Sequence, residues 1–137
     1  MPRVTGVLET CLYVADVDRS AHFYERLFGF PRMLSDDRLC AFAAGKSSVL
    51  ILFRQGGTTE PVVLSGGIVP PHDGSGQSHF AFAIPAEELA AWEMCLAEAG
   101  VAIESRVRWE RGGQSIYFRD PDGHLVELAT PGVWPMY

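Results

Sequence analysis

The feature that most restricts this chain is a recurrence. A strand-like segment running into an amphipathic helix occurs twice at nearly equal spacing: 20 residues separate Glu9 from the helix-ending Gly29, and 21 separate His79 from Gly100. In the first copy, residues 7–14 read as a strand. Asp16 or Asp18 then offers an N-cap, and Phe23, Tyr24, Leu27 and Phe28 fall at helical spacing before the stop at Gly29. Apolar runs at 39–43 and 48–54 predict two strands, with one more short strand near 32–34. In the second copy, residues 79–84 alternate and Pro85, Glu87 and Glu88 suit a helix's first turn. Leu89, Trp92 and Leu96 give that helix an apolar face that ends at Gly100. Strands over 101–109, 114–119 and 124–129 complete the copy, the last two joined by the tight turn Asp120-Pro121-Asp122-Gly123.

Between the copies, residues 55–77 carry Gly56, Gly57, Gly66, Gly67, Gly74 and Gly76 with Pro61, Pro70 and Pro71, which leaves little room for a helix. Connections of this length inside a domain are usually functional or mobile, so this linker reads as a lid or a subunit contact. The expected organisation is module one over 5–54, the linker over 55–77 and module two over 78–131. The modules form one domain, because either alone is too small to be secure.

Composition narrows the function. The net charge is −6 and no Lys/Arg cluster occurs, so nucleic acid and anionic membrane are poor partners, while small molecules and metals remain. No apolar run approaches the ~20 residues of a membrane span, and the N-terminal residues lead into no signal-type core, so the expectation is a cytoplasmic protein. Cys11, Cys40 and Cys95 are widely spaced in apolar surroundings and read as buried free thiols.

Period-two alternation divides the strands into faces. Leu8, Leu12 and Val14, Phe80, Phe82 and Ile84, Ile116 and Phe118, and Val126 and Leu128 call for helices packed on them. The opposite faces hold Glu9, Cys11 and Tyr13; His79, Ala81 and Ala83; Ser115 and Tyr117; and Leu125, Glu127 and Ala129. An ionised carboxylate within a strand is costly unless paired or metal-bound. One imidazole and two carboxylates, His79, Glu9 and Glu127, form a sound donor set for a divalent first-row ion, with Zn, Mn, Fe, Co and Ni all open. A satisfied strand histidine and two solvent-facing glutamates are the plainer account of the same residues.

The segment Glu9-Thr-Cys-Leu-Tyr-Val-Ala-Asp-Val-Asp-Arg-Ser-Ala-His-Phe-Tyr-Glu-Arg-Leu-Phe-Gly-Phe30, then His79-Phe-Ala-Phe82, then Ser115-Ile-Tyr-Phe-Arg-Asp-Pro-Asp-Gly-His-Leu-Val-Glu-Leu128 resembles the vicinal oxygen chelate superfamily. This is the glyoxalase, bleomycin-resistance and extradiol-dioxygenase group, and the resemblance covers nearly the whole chain. It implies an α+β fold of two βαβββ modules forming a cupped, incomplete β-barrel with helices outside. It also implies a metal at Glu9, His79 and Glu127. A fourth position, filled by Glu in glyoxalase I-like members, falls near Ile51 and is empty here.

The resemblance implies a metal-dependent enzyme whose ion chelates vicinal oxygens of a small substrate, with isomerase, lyase or thiol-transfer chemistry. Glu9 or Glu127 loosens to act as base. Tyr13 and Tyr117 are candidates to bind ligand or act as acid, His72 reaches in from the linker, and Arg111 pairs a substrate anion. Arg119, His22 and His124 read as surface, helix and turn residues, and Trp92 as core. The alternative is a non-catalytic, drug-binding protein of the bleomycin-resistance kind; ring-cleaving dioxygenase chemistry is less favoured, since its members usually carry two histidines. A homodimer is expected, with Trp109 and Trp134 at the subunit contact.

Overall fold

The computed structural model describes residues 1–137 and divides into two units, Met1–Gly76 and Gln77–Tyr137. Unit one runs β1 (Glu9–Val14), α1 (Val17–Phe28), β2 (Arg32–Ser35), β3 (Leu39–Ala43), β4 (Val49–Arg54), then a hairpin of β5 (Val62–Leu64) and β6 (Gly67–Val69). Unit two runs β7 (His79–Ala83), a 3-10 turn at Ala86–Glu88, α2 (Leu89–Glu98), β8 (Ser105–Arg108), β9 (Gln114–Arg119) and β10 (Leu125–Ala129). The fold is α+β with mixed sheets and no closed barrel.

The two main sheets repeat one topology. Unit one orders its strands β1-β4-β3-β2 and unit two β7-β10-β9-β8, each with its first strand parallel to its last and the other pairs antiparallel. A parallel partner for the opening strand needs a long crossover, and within it the helix supplies the cover for one sheet face.

Local chemistry accounts for the first crossover. Asp16 is the N-cap of α1, its side chain accepting the Arg19 N–H at 3.0 Å, and Gly29 closes the helix in the left-handed region at φ 66°. Val17, Ala21, Tyr24 and Leu27 are buried, as are Leu12 and Val14 of β1 and Leu50 and Leu52 of β4, which form the core of this unit with Cys40 and Phe42. Each such aliphatic or aromatic burial contributes about 1.5–3 kcal/mol. Asp16→Ala removes the cap and is expected to lower stability by about 1 kcal/mol, read as a shift in a urea melt with an unchanged slope.

In unit two Leu96, Ile116, Phe118, Val126 and Leu128 are buried. Trp92, expected in the core, is only half-buried, and Met94 on the same helix is 64% exposed. Leu8 precedes the strand and is exposed rather than facing a helix.

The connection between modules, where little room for a helix was expected, carries a hairpin in which β5 and β6 pair from Val62↔Val69 to Leu64↔Gly67. One further expectation is corrected. Of the three cysteines only Cys40 is buried; Cys11 and Cys95 are exposed free thiols. Cys11 stands on the face of β1 that α1 does not cover, and Cys95 on a helix of which only Leu96 is buried. No helix is long and apolar enough to cross a membrane.

Candidate metal-binding site

The face of unit two opposite its core is floored by small residues. Ala81, Ala83 and Ala129 leave room there, and with Tyr117, Trp109, Phe82, Val133, Trp134 and Tyr137 they line a cavity of about 460 Å³ at whose edge His79 and Glu127 meet. The register makes the meeting possible: in the sheet His79 aligns with Leu125, and Glu127 aligns with Ala81 and Tyr117. All of these lie on one face because they differ by two along their strands.

His79 Nε2 stands 3.2 Å from Glu127 Oε2, and His79 Nδ1 donates to the Leu125 carbonyl at 3.0 Å. The Nδ1–H is spent on that carbonyl, so Nε2 faces the carboxylate across a proton, as an ion pair, or across a cation. Two donors on one first-row ion, with bonds near 2.0–2.2 Å, stand about 3.0–3.4 Å apart, so the observed separation fits a metal. Glu127 is buried, and its other oxygen accepts the Ser115 hydroxyl at 2.5 Å; Trp109 Nε1–H in turn donates to Ser115 Oγ at 2.9 Å. Such outer hydrogen bonds fix ligand orientation.

Tyr117 lies opposite Glu127 across the β9–β10 ladder, its ring 6.1 Å from that of His79. Burial pushes its phenol up, and the Glu127 charge adds to this, so the O–H is retained as a donor through neutral pH.

Glu9 belongs to unit one and is exposed on β1. With Cys11, Ile51, Phe53 and His72 it lines a cavity of about 530 Å³. No group of three His, Cys, Asp or Glu side chains suited to a metal ion is gathered in the structure. Tyr13 and His72 meet each other in unit one, at 2.5 Å. Arg111 is not among the residues lining either cavity; it borders a separate pocket with Val107, Arg108 and Glu110.

His124, expected as an ordinary turn residue, is 1% exposed: its Nδ1 accepts the Ser78 N–H at 2.9 Å, and its own N–H donates to Asp120 Oδ1 at 2.9 Å. It ties the turn to the start of β7. Arg119 forms an exposed pair with Glu104 at 2.7 Å. Trp109 and Trp134, expected at a subunit contact, line the unit-two cavity. Tyr137, not anticipated as a wall, donates to the Ile84 and Ala129 carbonyls at 3.2 and 3.0 Å, holding the C-terminal turn against the sheet.

That turn depends on glycine at Gly113, where a Cβ would fall 2.4 Å from the Gly132 carbonyl carbon and the Val133 nitrogen. Gly113→Ala must displace the segment carrying Val133 and Trp134. The expected loss is about 1–3 kcal/mol, seen in thermal melts together with a change in tryptophan fluorescence.

A profile of the Glyoxalase/Bleomycin resistance protein/Dioxygenase superfamily matches residues 6–128. The chain belongs to that superfamily. Among its members, a curated protein named Metallothiol transferase FosB from Bacillus licheniformis is 31% identical over 133 residues, 96% of this chain and 79% of that one. Another, Glutathione transferase FosA from Serratia marcescens, is 29% identical over 85% of this chain and 74% of its own length. Among solved structures, one described as a lactoylglutathione lyase from Agrobacterium tumefaciens superposes with a TM-score of 0.88 at 29% identity, covering 98% of this chain and 99% of that one. The superfamily fold that the resemblance implied is therefore the fold observed.

Proposed function

We propose that the chain is a metal-dependent enzyme acting on a small molecule, with transfer of a thiol to an electrophilic carbon as its chemistry. The observation that carries the reading is the His79–Glu127 pair, its Nε2 standing 3.2 Å from a buried carboxylate. The names of the relatives, a metallothiol transferase and a glutathione transferase, support the thiol step. Glu9 is the proposed third ligand, since two protein donors fall short of the three usual at a catalytic centre. It comes from a second copy, which makes a homodimer the working assembly. Zn, Mn, Fe, Co and Ni all suit the donor set.

When bound, the ion supplies a Lewis acid that offsets negative charge on two neighbouring substrate oxygens. The chain's own residues do the rest. Ala81, Ala83 and Ala129 make space for the substrate, and Trp109, Trp134 and Phe82 exclude water from it. No cysteine lines the cavity beside His79 and Glu127, so the nucleophile is a cosubstrate thiol. Glu9 or Glu127 takes the thiol proton as the S–C bond forms and a C–O bond breaks. Tyr117 O–H donates to the oxygen carrying the new charge, and the proton held on the carboxylate returns to it. Arg111 is proposed to meet an anionic group of the substrate at the rim.

The deciding assay incubates the purified chain with a small epoxide and a low-molecular-weight thiol such as glutathione, with and without Mn²⁺ after chelation. Metal-dependent loss of the thiol is expected. Metal-free protein that is equally active sinks the reading. A second reading, a non-catalytic binder of an aromatic or cationic compound, is favoured by Trp109, Trp134, Phe82 and Tyr137 around a cavity whose lining holds no Lys or Arg. It predicts saturable dye or drug binding that survives chelation, with no turnover.

A further inference from the structure

A second polar group lies in unit one, on the same strand face as Glu9. The Tyr13 hydroxyl stands 2.5 Å from His72 Nδ1. Phe53 supports both rings, stacking on Tyr13 at 5.9 Å and meeting the imidazole edge-on at 4.7 Å. The loop carrying His72 is fastened on both sides. Its N–H donates to the Thr58 carbonyl at 2.9 Å, and the buried Thr58 hydroxyl donates back to the His72 carbonyl. Asp73 accepts the N–H groups of Gly56 and Gly74 at 3.2 and 2.9 Å. Gly74 permits the close approach, because a Cβ there would lie 2.4 Å from the Tyr13 ring.

The direction of the short hydrogen bond follows from the two groups that make it. A phenol O–H is a stronger acid than the N–H of a neutral imidazole, so Tyr13 donates and Nδ1 accepts, which places the imidazole proton on Nε2. That nitrogen has no hydrogen-bond partner in the chain. His72 lines the cavity of about 530 Å³, whose walls include Ile51, Phe53, Val62, Leu64 and Val69.

We propose that His72, its tautomer fixed by Tyr13, is the oxygen-recognising donor of this cavity. Its ligand is a small organic molecule with an apolar body and one carbonyl or phenolate oxygen. The aliphatic walls and Phe53 take the body, and Nε2–H takes the oxygen. A dianionic headgroup is disfavoured, because the lining sets Glu9 and Glu60 against Arg38 as its one basic side chain besides the imidazole. The inference uses neither His79 nor Glu127; its cavity shares Glu9 with the metal reading, which gives His72 no part.

The test uses the full chain at pH 8, where histidine is neutral. Long-range ¹⁵N–¹H correlation spectra are expected to show His72 as the Nε2–H tautomer, assigned by the signals lost in His72→Phe. Tyr13→Phe and Gly74→Ala are each expected to relax it toward a mixture of tautomers. 4-Nitrophenolate is expected to bind saturably, about 10-fold more weakly to His72→Phe and about 3-fold more weakly to Tyr13→Phe, whereas methylphosphonate does not compete. An Nδ1–H tautomer in the wild type overturns the proposal. So does an absence of saturable 4-nitrophenolate binding, wild-type affinity in His72→Phe, or methylphosphonate binding as tightly. If His72→Phe fails to fold, the tautomer shift in Tyr13→Phe decides alone. Metal content of the same samples is expected at the wild-type level, which keeps a failure here separate from a failure of the metal reading.

Discussion

Glu127→Ala and His79→Ala are each expected to reduce bound divalent metal from about one ion per chain to a trace. Loss of an outer-sphere partner typically weakens a metal site 10–100-fold, so loss of a direct ligand is expected to cost on the order of 100-fold or more. Ser115→Ala provides the graded comparison. It removes the hydroxyl that donates to Glu127 Oε1 and leaves both ligands in place, so an intermediate loss of about 10-fold to 100-fold is expected. Elemental analysis of protein purified without chelator reads all three, and circular dichroism establishes that each variant is folded. Wild-type metal content in a His79→Ala, Glu127→Ala double variant would remove the basis for the enzyme reading. Stability gives a second signature: ligand linkage predicts that chelation lowers the melting temperature of the wild type and leaves the double variant unmoved.

The second large effect concerns where Glu9 comes from. Glu9→Ala alone is expected to lose metal, and so is Glu127→Ala alone. Mixing the two after reversible subunit exchange is expected to restore binding. In a two-fold dimer that shares Glu9 across copies, half of the randomly formed dimers are mixed and each mixed dimer has one intact site of two, so about a quarter of wild-type metal returns. Closure of the site within one chain predicts no recovery, because every chain then carries a defect in its own site. The exposed apolar hairpin residues Val63, Leu64 and Ile68, 77%, 56% and 66% accessible, are consistent with a surface that associates.

Most of the strand and helix order was legible because each element announces itself over its own length. α1 has the N-cap Asp16, an apolar stripe and the left-handed Gly29, all local signals. The alternation in β7, β9 and β10 placed His79, Tyr117 and Glu127 on one face before any tertiary information was needed. What alternation does not say is what lies above a face, and this is why the cysteines were misread: Cys11 shares its side of β1 with Glu9 and Tyr13, and that side opens on a cavity. His124 was illegible for a related reason. It sits in a turn, where no period exists, and its burial arises from Ser78, which is 46 residues away in sequence. The hairpin at Val62–Val69 did carry a signal, β-branched and aliphatic runs on either side of Ser65-Gly66, which the weight of nearby glycine and proline obscured. Tyr137 could be known as a wall only once the terminal turn had been folded back through the contact of Gly113 with Gly132.

The burial of Cys40 and the exposure of Cys11 and Cys95 have a practical consequence. Each unit displays one accessible thiol, and the third is shielded, so the chain already carries a matched pair of attachment points for paramagnetic or fluorescent tags. Tagging both, with no engineered cysteine, makes the spacing between the halves a directly measured quantity. Comparing that spacing before and after metal loading gives a readout in solution that needs no engineered site.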